Sequence, residues 1–141
     1  MIVDLADLTA DYIDTSIEAR EWAWSELRIV IDKPKCIVLR YQGAITGVMF
    51  YEVDGETVNL GMWAAKPPHK DAENRPEVQA YNSDLVFLYL FDTLGASLVT
   101  AQFVAGNKRS QGLTKKMTGQ TPHPINGGYE VSFTREQYVN K

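Results

Sequence analysis

The stretch from residue 35 to residue 65 limits the possible folds more than any other part of this chain. It reads "CIVLRY", then "AITGVMFYEV", then "TVNLGMWAA", three runs rich in β-branched and aromatic residues. Such residues suit a pleated, half-buried surface. Gln42-Gly43 and Asp54-Gly55 separate the runs. Asp-Gly favours a two-residue hairpin, because glycine supplies the positive φ that such turns need. The spacing therefore predicts a three-stranded antiparallel meander over residues 35 to 65.

The flanking sequence predicts helices alternating with further strands. Residues 2 to 5 suit a short first strand. Leu8, Tyr12, Ile13, Ile17, Trp22, Trp24 and Leu27 recur mostly at helical spacing, which predicts one long helix or two in tandem up to Leu27. Asp7, Asp11 and Asp14 would fall in its early turns, where the helix dipole favours them. After the meander, "KPPHKDAENRPEVQ" at 66 to 79 holds three prolines and no apolar period, and reads as a loop. "NSDLVFLYLFDTLGA" follows as a buried helix, with Asn82 or Ser83 as its N-cap and Gly95 beyond its end. "SLVTAQFVA" is a strand and "KRSQGLTKKMT" a last helix that closes on Gly119. A turn at Asn126-Gly127-Gly128 then leads into a closing strand from Tyr129 to about Phe133. The expected fold class is α/β (α+β), a mixed sheet in the order β-α-α-β-β-β-α-β-α-β-β.

A length of 141 residues fits one domain, 1–141, able to bury its own core. The net charge of −4 argues against general nucleic-acid binding, which needs excess Lys and Arg. The single cysteine, Cys36, excludes an internal disulfide and reads as a small apolar filler. The N-terminus lacks a basic segment followed by an apolar one, so no secretory signal is expected. The most apolar window, "LVFLYLF" at 85 to 91, falls far short of the roughly 20 residues of a membrane span. These features lead to an expected cytoplasmic protein. His69 and His123 lack partners at metal-ligand spacing, so no metal site is expected and both read as loop residues. Trp22, Trp24 and Trp63 read as packing groups. Nucleophile-elbow, Walker and dinucleotide-binding fingerprints are all missing.

Residues 104 to 122, "VAGNKRSQGLTKKMTGQTP", carry the functional signal. An apolar strand hands over to a helix across Gly106, with Asn107, Lys108, Arg109 and Ser110 at the junction. Free N–H groups at a helix start attract anions, and adjacent Lys and Arg add charge. Asn107 equally suits a plain helix cap, and Lys115 and Lys116 suit the negative end of the helix dipole.

With the element order, this junction resembles the GNAT superfamily of N-acetyltransferases. Many members carry Asn-x-x-Ser-x-x-Leu-x-Lys-x-x-Gly after the fifth strand. Here the pattern reads Asn107, Ser110, Leu113, Lys115 or Lys116, and Gly119, with the final glycine one residue late. The resemblance implies transfer of an acetyl group from acetyl-CoA to an amine acceptor. It places the cofactor at Val104, Gly106, Asn107, Lys108, Arg109 and Ser110, with Arg75 toward its phosphates. The family's glycine-rich pyrophosphate loop has no counterpart, since no glycine occurs between Gly61 and Gly95. The tyrosine that many members carry on the last helix is also missing. Ser110 and Thr114 are its only hydroxyls before Met117, and the catalytic residues are unassigned. Glu52, Glu56 and Asp84 are carboxylates at suitable elements, but nothing in the sequence marks any of them as the base.

A second resemblance is to the GNAT-like internal virion (ejection) proteins of short-tailed bacteriophages, which keep the fold without the glycine loop. "VNLGMWAAKPP" and the altered loop are similar to that pattern. It implies a catalytically inactive virion component or host-interaction protein whose partners are proteins.

Overall fold

The computed structural model describes residues 1–14, 17–28, 30, 35–65, 71–104, 106 and 108–141, with backbone alone at 62–65, 104, 108–111 and 113. A short 3-10 turn at Leu5–Asp7 leads into β1 (Leu8–Asp14), α1 (Ile17–Leu27), β2 (Lys35–Tyr41), β3 (Ala44–Asp54) and β4 (Thr57–Ala65). Then come α2 (Arg75–Leu88), a π-helical turn (Tyr89–Thr93), β5 (Leu98–Val104), α3 (Lys108–Thr118), β6 (His123–Ile125), β7 (Gly128–Phe133) and α4 (Arg135–Val139). The seven strands hydrogen-bond in the order β1-β2-β3-β4-β5-β7-β6. β4 and β5 run parallel, and the recorded registers of the other pairs are antiparallel. No helix among the described residues is long and apolar enough to cross a membrane.

The chain divides into two compact units. The first comprises Met1–Glu52 and Gly61–Phe87, the second Val53–Leu60 and Leu88–Lys141.

In the first unit the meander appears where the sequence places it. Gln42 and Gly43 at the first turn have φ of 51° and 85°, and Gly55 at the second has 63°. The inner strands are sealed on both faces, with four consecutive buried residues at Cys36–Leu39 and six at Thr46–Tyr51 if the strand is followed from its bulge. α1 presents Ala19 and Ala23, one turn apart, to Cys36, Val38, Val48 and Phe50. Alanine lets the helix come close, and Trp22 and Leu27 pack around that contact. Burial of Phe50 alone contributes about 1.5–3 kcal/mol.

Two expectations for this unit are corrected. Leu8–Asp14 is a strand rather than the start of a helix, and the strand expected at 2 to 5 is absent from those described residues. β1 is an edge strand with little burial, so its apolar residues need not alternate, and Leu8, Tyr12 and Ile13 fit either period. It is held by backbone pairing with β2 from Leu8↔Tyr41 to Asp14↔Lys35, and across that pair Asp11 accepts from Arg40 Nε at 2.7 Å and Asp14 pairs with Lys35. A single helix, α1, then follows in place of a long or tandem one.

The second correction concerns α2, which begins at Arg75 inside the expected loop, so Asn82 and Ser83 lie within the helix rather than at its cap. Pro76 falls in the first turn, where proline costs no intrahelical hydrogen bond. Asn74, just ahead, is engaged elsewhere. Its side-chain amide accepts from Val3 N at 2.9 Å and donates to Val3 O at 2.8 Å. Glu73 N donates to Met1 O at 2.8 Å, so the N-terminal segment is laced to the start of α2.

In the second unit β5 pairs with β7 from Val99↔Phe133 to Val104↔Gly128, and β7 pairs with β6. His123, read from sequence as a loop residue, opens β6. Burial on β7 alternates around Val131 and Phe133. Phe133 packs edge-on against Phe91, with centroids 5.9 Å apart, and tilted against Tyr138 at 6.3 Å. Tyr138 comes from α4, a helix the sequence reading did not anticipate. It is fixed by a capping box in which Gln137 N donates to Thr134 Oγ1 and Thr134 N donates to Gln137 Oε1. Gly119 ends α3 as expected, with φ of 75° and its N–H on Lys115 O.

Candidate functional site

The second unit carries the β5–α3 junction that the sequence singles out. β5 enters it as the central strand of three. Its parallel register with β4 spans Thr57↔Leu98 to Leu60↔Ala101 among the described residues, while its pairing with β7 continues to Val104. Among the described residues one edge of β5 is thus paired for its first four residues, and the other from its second residue to its last. Thr100 Oγ1 donates to Asn59 Oδ1 next to the last rung of the β4 register.

The chain turns at Gly106, which is exposed and has open space where a Cβ would sit. α3 then starts at Lys108 and runs eleven residues without an acidic side chain. Its first N–H groups lack intrahelical partners by construction, and the helix dipole leaves partial positive charge there. Lys115 and Lys116 lie in the last turn, on the carbonyl end. Thr118 closes the helix by donating to Thr114 O at 2.8 Å and accepting from Gln120 N at 3.2 Å.

Of the residues expected to hold a cofactor, Val104, Gly106, Lys108, Arg109 and Ser110 fall consecutively around this junction, from the end of β5 into the first turn of α3. Asn107 lies outside the described residues, as does His69. Arg75 is the first residue of α2 and belongs to the first unit. Glu52 is an exposed residue of β3, Asp84 an exposed residue of α2, and Glu56 an exposed turn residue whose carbonyl accepts from Ser97 N at 2.7 Å. Cys36 is fully buried, and burial pushes its thiol up to about 12, so it is a packing group. Trp22 is partly buried against the core, whereas Trp24 is half exposed and carries the Arg28 guanidinium 5.2 Å from its ring centroid. Among the described residues no group of three His, Cys, Asp or Glu side chains is arranged to hold a metal.

A second polar feature of this unit escaped the sequence reading. Residues paired across strands point to the same face of a sheet. Val99, Val131 and Phe133 share the apolar face. The opposite face carries Thr100 and Ser132 on one rung, and Gln102, Glu130 and His123 two residues further along. Gln102 Nε2 donates to Glu130 Oε2 at 2.9 Å, and His123 Nε2 lies 3.7 Å from Glu130 Oε1. These three residues are scattered in sequence, and only strand pairing brings them together.

No model of a protein family and no curated protein sequence matches the chain. Solved structures do. A chimera built on the spermidine N-acetyltransferase of Vibrio cholerae matches with a TM-score of 0.66 at 13% identity, covering 95% of this chain and 99% of that one. The N-acetyltransferase PseH of Campylobacter jejuni matches with a TM-score of 0.64 at 16% identity, covering 92% and 99%. A GNAT-family acetyltransferase of Bacillus anthracis matches with a TM-score of 0.53 at 16% identity, covering 72% and 66%. The chain therefore has the fold of the GNAT acetyltransferases, in a divergent sequence.

Proposed function

We propose that this protein is a GNAT-type N-acyltransferase that moves an acetyl group from acetyl-CoA to an amine acceptor, in a cytoplasmic setting. The observation that carries the reading is the register of β5. Among the described residues its register with β4 runs to Ala101, the strand itself continues to Val104, and the helix that starts at Lys108 has no acidic residue in its first turn. A strand edge of that kind accepts an extended, amide-bearing ligand by main-chain hydrogen bonds. The helix start suits the phosphates that follow. The donors on the junction thus fit a pantetheine arm with a diphosphate, and acetyl-CoA supplies an acetyl group activated as a thioester.

The residues divide the work as follows. Main-chain N–H groups near Val104 and Gly106 would polarise the acyl carbonyl, since fixed donors aimed at developing charge are the largest common source of acyl-transfer catalysis. The first turn of α3, with Asn107, Lys108, Arg109 and Ser110, would hold the phosphate end. Arg75 is a further candidate for those phosphates.

One observation favours a second reading, a catalytically inactive GNAT-like virion (ejection) or host-interaction protein. The 33 positions between Gly61 and Gly95 contain no glycine, so the start of α2 lacks the residue that lets backbone N–H groups close on a diphosphate. Calorimetric titration with acetyl-CoA separates the two. Saturable binding that weakens roughly tenfold in Arg109→Ala, the size of one lost charge-assisted hydrogen bond, is expected of the enzyme. Absence of binding at millimolar cofactor would leave only the inactive reading.

A further inference from the structure

We infer that the Gln102–Glu130–His123 row is the seat for the acceptor's positively charged amino group; the inference rests on the N-acyltransferase reading and names the chemistry of its second substrate. The argument begins with the carboxylate. Five other acidic side chains with recorded ion pairs, Asp11, Asp14, Glu18, Glu73 and Asp92, face an arginine, a lysine or the N-terminal ammonium. Each of their side chains is at least 46% exposed. Glu130 is only 29% exposed, and its one ion-pair partner among the described residues is His123, which is charged only when protonated. The most sheltered carboxylate of the set thus has no Lys or Arg partner among the described residues.

A carboxylate beside a neutral amide and an imidazole keeps acceptor capacity for a cation. An exposed sheet face is usually lined by solvated side chains that are free to move. Here the amide of Gln102 holds Oε2 at 2.9 Å and leaves Oε1 turned toward His123. That oxygen and the exposed imidazole form a two-acceptor edge when the imidazole is neutral, and an alkylammonium can donate to both. A carboxylate-bearing acceptor would be repelled by Glu130. The chemical class is thus a primary alkylamine without a carboxylate close to its nitrogen.

Position supports the same assignment. Gln102 is the first residue of β5 past Ala101, where the recorded register with β4 ends. It lies two residues, or about 7 Å along the strand, from Val104. Glu130 is on β7, about 4.8 Å to the side. An amine bound there lies roughly 7–9 Å from the β5 terminus, on the face opposite the Phe91–Phe133–Tyr138 cluster. Glu130 and His123 are the titratable groups on this row, and Gln102 is its neutral member.

The test uses the full chain and n-butylammonium chloride, with sodium butyrate at equal ionic strength as control, and follows the His123 imidazole and Glu130 carboxyl signals by NMR. The expected result is a saturable shift of both signals with the amine, none with butyrate, and at least tenfold weaker amine binding in Glu130→Gln. Unmoved signals, or the same affinity in Glu130→Gln with its melting temperature intact, would overturn the inference. Glu130→Asp, which keeps the charge, should retain part of the affinity, and equal loss in both variants would also count against the seat. Acetyl-CoA calorimetry on Glu130→Gln should give the wild-type affinity. Failure of cofactor binding in the wild type sinks the acyltransferase reading, whereas failure of amine binding alone sinks only this inference. With both substrates, Glu130→Gln should raise the amine KM tenfold or more while kcat stays within about twofold.

Discussion

β2 and β7 are both inner strands, yet they solve burial in opposite ways. β2 buries Cys36, Ile37, Val38 and Leu39 in succession, so both its faces are covered. β7 buries Val131 and Phe133 but leaves the residue before each, Glu130 and Ser132, partly exposed. Continuous burial needs apolar groups on both sides and leaves no room for chemistry. Alternation gives one face to packing and frees the other for polar side chains held in register by the same backbone. The sealed strands supply stability, and the half-open ones supply a surface on which function can be built.

The largest effect should come from the packed face of β7. Phe133→Ala removes the ring shared by Phe91 and Tyr138 and should cost about 3–5 kcal/mol in urea unfolding. Its neighbour on the other face is the control: Ser132→Ala should stay within about 0.5 kcal/mol. Similar losses from the two would break the contrast.

The sealed strand can be probed through its thiol. Burial raises Cys36 from 9.0 to about 12 in the folded chain. A folded value above the unfolded one means that the neutral thiol favours the native state. This contribution is complete below pH 9 and is lost as pH rises from 9 toward 12. Native protein at pH 8 should therefore leave a maleimide unreacted for as long as it stays folded, and urea midpoints should fall between pH 9 and 11. A Cys36→Ala variant should lose less over that range. Rapid labelling of native protein would show that the strand is not closed.

A smaller change sharpens the comparison inside α2. Asn82 Oδ1 is buried without a hydrogen-bond partner among the described residues. An unmet buried acceptor costs about 1–3 kcal/mol, so Asn82→Leu should raise the urea midpoint by an amount equivalent to about 1 kcal/mol. A fall would mean that the amide is satisfied in solution.

The meander was legible because its turns use residues with one strong physical preference. Gly43 and Gly55 adopt the positive φ for which glycine is suited, and Gly119 does the same at the end of α3. At Gly119 a side chain would also meet Lys141 Cβ at 2.5 Å. β1 was not legible, because an exposed edge strand held by its backbone pairing with β2 needs no apolar alternation. Pro76 disguised the start of α2, since proline signals a break in a helix interior and a beginning in the first turn. α4 did have a readable mark, the Thr134-x-x-Gln137 capping box, but five residues give no period to detect. For the candidate site, the β5–α3 junction was visible because its residues are consecutive. The Gln102–Glu130–His123 row was invisible, because its members meet only after β5, β6 and β7 have paired.

The double hydrogen bond between Asn74 and Val3 has a consequence for synthesis. Its two ends are 71 positions apart. A ribosome adding about 5–20 residues per second emits the second partner several seconds after the first. During that delay the opening segment must wait with Val3 and Leu8 uncovered, although both are buried in the finished protein. Slowing translation ahead of codon 74 should lengthen the time the nascent chain stays vulnerable to proteases.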